Sequence, residues 1–284
     1  MTPVDAAARR PLALLAMRPL HELPRRDCLG ITAVLLDIDD TLTTDGRLEP
    51  EAYGALGHLQ AAGLSVIPVT GRPAGWCDMI ARFWPVDGVV GENGAFTYRY
   101  DHGARRMRRA HAVDEQQLLA HRARLAVIAA RILAEVPGAA LSADQSFRVA
   151  DLAIDFCEDV PPLPRSDIDR IVAIFEAEGA TAKVSSIHVN GWFGAYDKLG
   201  MARRFLETEL GMTDAQAIER VLFVGDSPND EPMFAAFPLS VGVANVTAHL
   251  DRIRRPPTYV TPSRSGAGFV ELTKYLLAAR CHGR

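Results

Sequence analysis

The run VLLDIDDTLT at residues 34–43 carries five apolar residues and three acids, Asp37, Asp39 and Asp40. Neighbouring carboxylates repel one another, and burial raises the cost of keeping each charged. Two other apolar runs also end in polar residues. LSVIPV (64–69) leads into Thr70-Gly71-Arg72, and VLFVG (221–225) opens the segment GDSPND, which contains Asp226, Asn229 and Asp230. Open α/β sheets bind ligands beyond the carboxyl ends of their strands. If these three strands are neighbours, their carboxylates converge on one spot and need a cation to offset the repulsion. A hard divalent ion with oxygen ligands suits them, Mg²⁺ above all, and Mg²⁺ commonly bridges to phosphate oxygens. The chemistry this points to is that of a phosphate ester.

The other residues at these ends fit the same chemistry. Thr70 can donate to a phosphate oxygen, and Gly71 lets backbone N–H groups come close to it. Lys198, at the start of a helical run, can supply positive charge. Asp37 can act as a covalent nucleophile, giving an aspartyl-phosphate. Asp39 can protonate the leaving oxygen and later take a proton from water.

Positioning these groups requires buried strands alternating with helices. ITAVLL (31–36), LSVIPV and VLFVG read as buried strands, with GVV (88–90), LSVGVAN (239–245) and TYVT (258–261) completing the set. Helical patterns run over 50–62, 73–84, 198–210 and 267–280. The expectation is an α/β fold with a Rossmann-like parallel sheet. The middle of the chain breaks that pattern. A helix over 114–136, a strand-like FRVADLAIDF (147–156), a helix over 166–178 and a strand-like TAKVSSIHVNGWFG (181–194) make an α-β-α-β block. This predicts an inserted cap over 112–190, a core made of 28–111 and 191–284, and a loosely docked N-terminal extension over 1–27.

DIDDT (37–41), TGR (70–72), Lys198 and GDSPND (225–230), in that order, resemble the motif set of the haloacid dehalogenase (HAD) superfamily. The position of the insert and GENGA (91–95) resemble the Cof-type branch with a type IIB α/β cap. The resemblance spans about 30–275 and implies Mg²⁺-dependent hydrolysis of phosphate monoesters, often sugar phosphates. It implies that Asp37 is the nucleophile and Asp39 the acid/base. It makes Thr70 and Lys198 phosphate binders, with Asp37, the Asp39 carbonyl and Asp226 holding the metal. Asn229 and Asp230 then support the metal or Lys198.

Arg72 and Asn93 are candidate substrate contacts, against plainer readings as a surface residue and a turn former. His188 and Asn190, on the last strand of the insert, are candidates too, against packing or solvation. Two alternatives stay open: a phosphomutase of the phosphomannomutase kind on the same scaffold, and a phospho-accepting or silent sugar-phosphate-binding module. Hydrophobic residues make up 48% of the 284 and charged residues 23%, an ordinary globular balance. The net charge of −4 gives no basic footprint for nucleic acid. No apolar run reaches membrane-spanning length, and the N-terminus lacks the features of a signal peptide. Four cysteines set far apart, with no CxxC pair, fit a reducing cytoplasm.

Overall fold

The computed structural model describes residues 17–185 and 187–281. The chain begins with β1 (Arg18–Pro19) and α1 (Arg25–Gly30), then runs through β2 (Ala33–Leu36), α2 (Pro50–Ala61), β3 (Ser65–Pro68) and α3 (Ala74–Phe83). A small sheet follows, of β4 (Val89–Gly91), β5 (Phe96–Asp101) and β6 (Arg106–His111). The insert contributes α4 (Glu115–Glu135), β7 (Ala140–Leu141), β8 (Leu152–Asp155), α5 (Arg165–Ala177), β9 (Thr181–Val184) and β10 (His188–Trp192). The chain returns as α6 (Lys198–Leu210), α7 (Asp214–Arg220), β11 (Val221–Gly225), α8 (Glu231–Ala236), β12 (Ser240–Gly242), β13 (Tyr259–Val260) and α9 (Ser265–Cys281).

Six strands form one parallel sheet in the order β1-β13-β12-β11-β2-β3. Every residue of β2 and β11 is buried, as both faces of a parallel sheet demand. Alternate residues feed opposite layers. Val34, Leu36 and Val66 pack against α2 and α9, whereas Ala33, Leu35 and Ile67 pack with Phe205 of α6 and Phe234 of α8. Each fully buried Leu or Phe stabilises by about 1.5–3 kcal/mol. The consequence for function is register. Leu36 lies opposite Pro68 on one side and Val224 on the other, so Asp37, Thr70 and Asp226 emerge on the same edge.

The inserted sheet is antiparallel, in the order β7-β8-β10-β9. Leu152 and Ile154 of β8 and Val189 of β10 form a core with Ile128 and Ile132 of α4 and Ile174 and Phe175 of α5. Side chains alternate across a strand. Asp155, His188 and Asn190 therefore face away from those helices; His188 pairs with Asp155, and Asn190 with Ala153.

Three expectations need adjustment. FRVADLAIDF is a strand only over 152–155; a 3₁₀ turn at Gln145–Phe147 and a polar turn precede it. TAKVSSIHVNGWFG is a hairpin, β9 and β10, rather than one strand. Residues 17–27 are not loosely docked. β1 pairs with the edge strand β13, Leu20 and Leu23 are buried in the core, and Tyr275 Oη donates to Leu23 O at 2.8 Å. The apolar side chains of Leu20 and Leu23 hold this segment against the core. Residues 1–16 lie outside the described ones. Among the described residues, no helix is long and apolar enough to cross a membrane.

Candidate active site

The floor of the site is built from the ends of β2, β3 and β11. Lys198 stands at the start of α6 with its Nζ 2.7 Å from Asp37 Oδ1 and 2.9 Å from Asp230 Oδ1. All three side chains are buried. The far oxygen of Asp230 accepts from the backbone N–H groups of Asp226 and Ser227, at 3.1 and 3.3 Å. Asp226 is held by Thr41 Oγ1 at 3.0 Å and by Asn245 Nδ2 at 3.0 Å. Asn245 also donates to the Asp40 carbonyl at 2.9 Å, bracing a residue whose φ is +58°. Asn229 Oδ1 accepts from Ser227 Oγ at 2.6 Å.

Asp37, Asp226 and Asp230 offer carboxylate oxygens within 4.8 Å of one another. Burial, then the charges of Asp230 and Asp39, push Asp37 up to about 8 despite Lys198. Burial, then Asp37, raises Asp226 well above the usual carboxylate range. Lys198 is shifted upward by Asp230 and Asp37, against its burial, and stays an ammonium. A single ammonium faces more carboxylate charge than it can neutralise. The oxygen-only donor set and its excess negative charge fit a hard divalent cation such as Mg²⁺.

Thr70 is fully buried, and its hydroxyl oxygen accepts from the Arg72 N–H at 3.0 Å. Its own hydrogen is left to donate. A Cβ on Gly71 would come within 3.2 Å of Asn93 Nδ2, so a larger residue would crowd that amide. Asn93 N donates to Thr70 O at 3.0 Å, tying the turn at 91–95 to the Thr70 loop.

The insert roofs this floor. A cavity of about 20 Å³ is lined below by Asp37, Asp39, Gly71 and Arg72 and above by Arg148, His188 and Asn190. That space suits a water rather than a sugar phosphate. A larger groove of about 300 Å³ opens beside Asp39, between Asp45 and the insert's Glu158. Arg72 bridges floor and roof. It makes a forked contact with Asp39, at 2.9 Å from Nε and 2.7 Å from Nη2, and reaches Glu158 Oε1 at 3.0 Å. Its guanidinium stacks over Trp76 at 4.5 Å. Glu158 lies 2.9 Å from His188 Nε2, an ion-pair distance. His188 and Arg72 together hold the Glu158 carboxyl down at about 2.

All the residues singled out from the sequence therefore gather around one spot, though some are engaged differently from what was expected. The Asp39 carboxylate faces Arg72, and Asp230 braces Lys198 and two backbone amides. Several residues had not been singled out. Thr41 lies in the turn after β2 and Asn245 in the 3₁₀ turn after β12, loops beyond strand ends that could have flagged them. Glu158, Arg148 and Asp151 lie in turns of the insert with no motif to mark them. Glu92 was visible in GENGA, but nothing in sequence spacing showed what its carboxylate meets.

Residues 34–123 match the family model described as haloacid dehalogenase-like hydrolase. Among curated proteins there is no match. Among solved structures, a Thermoplasma acidophilum protein superposes with TM-score 0.66 at 18% identity, over 87% of this chain and 98% of that one. A haloacid dehalogenase-like hydrolase from Bacteroides thetaiotaomicron gives 0.60 at 14%, over 87% and 99%. The sucrose-phosphatase of Synechocystis, solved with sucrose and phosphate, gives 0.58 at 17%, over 87% and 98%.

Proposed function

We propose that this chain, a haloacid dehalogenase-like hydrolase by its match over residues 34–123 and by its fold, is a Mg²⁺-dependent phosphatase acting on a sugar phosphate. The observation that carries the reading is Lys198 bridging Asp37 and Asp230 beside Asp226, at adjacent strand ends under a polar roof. In this reading residues 112–190 are the cap and the flanking segments the core. The sucrose-phosphatase relative supports a sugar phosphate as the substrate class.

The residues divide the work as follows. Thr70, the backbone at Gly71 and Lys198 hold the phosphoryl oxygens. An Asp37 oxygen attacks phosphorus as the bond to the sugar oxygen breaks, leaving an aspartyl-phosphate. Asp39, released from Arg72 and protonated, gives that proton to the departing oxygen. It then takes a proton from the water that attacks phosphorus, and this second displacement releases phosphate and frees Asp37. For this Asp39 must leave its fork with Arg72, so an incoming substrate has to compete with that ion pair. A bound Mg²⁺ would be held by Asp37, Asp226 and the Asp39 carbonyl, and supplies charge neutralisation for the phosphoryl oxygens. His188 and Asn190 face the sugar.

The test is phosphate release from a panel of hexose and disaccharide phosphates with Mg²⁺ and no bisphosphate activator. Release from at least one sugar phosphate is expected. Isomerisation of a hexose phosphate without release, and only with the activator, would make the chain a phosphomutase instead.

A further inference from the structure

Glu92 is completely buried, yet it touches neither the cavity nor the carboxylate cluster. Its backbone is in the left-handed region, with φ +43°, and Asn93 and Gly94 follow at +55° and +105°. A non-glycine residue there is uncommon, and two in succession need support from their surroundings. The support comes from both sides. A Cβ on Gly94 would lie 2.0 Å from Asp197 O, so the turn is pressed against the start of α6, where Lys198 stands. Glu92 N donates to Arg72 O at 3.1 Å.

The side chain reaches across to the insert. Oε1 accepts from Ala74 N and Val149 N, both at 2.9 Å. Oε2 accepts from Ala150 N at 2.6 Å and from Asp151 N at 3.1 Å. Three successive backbone N–H groups of the insert thus converge on one carboxylate of the core. This is the nest arrangement that binds anions, here filled by a side chain of the same protein. Burial, then Asp151, pushes the Glu92 carboxyl up to about 7, while its backbone N–H donors favour the ionised form, to which such bonds are stronger than neutral ones.

The turn held in this way carries the roof. Asp151 accepts from Asn190 Nδ2 at 2.9 Å and from Arg148 Nη1 at 3.0 Å. Arg148 Nη1 also donates to Gly71 O at 2.8 Å. Both Arg148 and Asn190 line the cavity.

We propose that Glu92 is a positioning residue whose carboxylate pins the 149–151 turn to the core and so sets where Asn190 and Arg148 stand over the phosphate loop. This anchors the insert in addition to its two chain connections and to the Arg72–Glu158 and Arg148–Gly71 contacts. The proposal rests on the phosphatase reading for its effect on activity, but not for the pin itself. The test uses Glu92→Gln in the full chain. The amide keeps the shape and replaces one accepting oxygen with a donor that faces N–H groups. Hydrogen exchange at Val149, Ala150 and Asp151 should quicken by about tenfold or more, while β8, β10 and the core sheet keep their protection. With the sugar phosphate that the wild type hydrolyses fastest, KM should rise about tenfold, with kcat/KM for p-nitrophenyl phosphate changed less than about threefold. Glu92→Asp keeps the charge at shorter reach and should fall between the two; the same readouts on it decide the matter if Glu92→Gln does not fold. Unchanged protection at 149–151 overturns the pin. Parallel loss on both substrates overturns the positioning role. A wild type that releases phosphate from no ester overturns the phosphatase reading and leaves the exchange result to judge the pin alone.

Discussion

The floor and the roof of the site are built on different principles. The floor groups stand on the ends of three adjacent parallel strands and the first turn of α6, and their partners are the backbone and one another. The roof groups come from an antiparallel sheet and from turns spread between 144 and 190. They are placed by charged contacts that cross from the insert to the core: Arg72 to Glu158, Arg148 to Gly71, and Glu92 to the 149–151 turn. The floor is rigid because it shares a hydrophobic core with the sheet. The roof is held by these polar links together with Leu118, Val149 and Ala150 packed against the core. Floor substitutions should therefore change whether the reaction occurs, and roof substitutions should change which ester is accepted.

The largest expected effect is at the floor. Asp37→Asn should lower phosphate release by ~10⁴-fold or more, since the residual rate comes from binding alone. Its melting temperature should match or exceed that of the wild type, because a buried carboxylate leaves a crowded acidic cluster. A folded variant retaining more than a few per cent of the rate would remove the nucleophile assignment and with it the contrast.

Removing the cation comes next. Chelation should abolish turnover, and Mg²⁺ should restore it and raise thermal stability, by ~2.7 kcal/mol at a hundred times its Kd. In Asp226→Asn the Mg²⁺-dependent shift should shrink or vanish. Full activity after confirmed metal removal would contradict the reading of the acidic cluster.

The roof should give smaller and selective effects. His188→Ala and Asn190→Ala should each raise KM for the best sugar phosphate by about tenfold, as expected for the loss of one uniformly bound contact. Their kcat/KM for p-nitrophenyl phosphate should stay near that of the wild type. Equal losses on both substrates would show that these residues support the floor instead.

The smallest effect is a stability difference that depends on pH. The Glu158 carboxyl is held at about 2, chiefly by His188 and then by Arg72. A lowered folded-state value stabilises the protein above the unfolded value near 4.5 and loses that contribution as pH falls towards 2. Glu158→Gln should therefore cost about 1 kcal/mol or less at pH 7, because the group is partly solvated. The gap should narrow progressively as urea unfolding is repeated from pH 4.5 downward. A gap that widened on acidification would contradict the link across the seam.

Sequence alone determined the floor. Asp37, Asp39, Thr70, Lys198 and Asp226 each sit at or beside the end of an apolar run or at the start of a helix. A parallel sheet puts such ends on one edge, and the motif order marked Lys198; that β2, β3 and β11 are neighbours came from the tertiary structure. Sequence also located the insert, because its α-β-α-β order breaks the parallel alternation, and it named His188 and Asn190. It did not show that residues 17–27 close the far edge of the sheet. It did not reveal the hairpin of β5 and β6, because β6 is basic and largely exposed and carries no apolar alternation. Tertiary structure alone decided that Arg72 takes up Asp39, that Glu158 lies against His188, and that the Glu92 carboxylate receives the amides of 149–151. These partners are 33, 30 and about 57 to 59 residues apart in the chain. No periodicity links such positions: Asp39 meets Arg72 within the core and Glu158 meets His188 within the insert, between separate loops and strands, while Glu92 crosses from core to insert, so each contact depends on tertiary packing rather than on a local repeat.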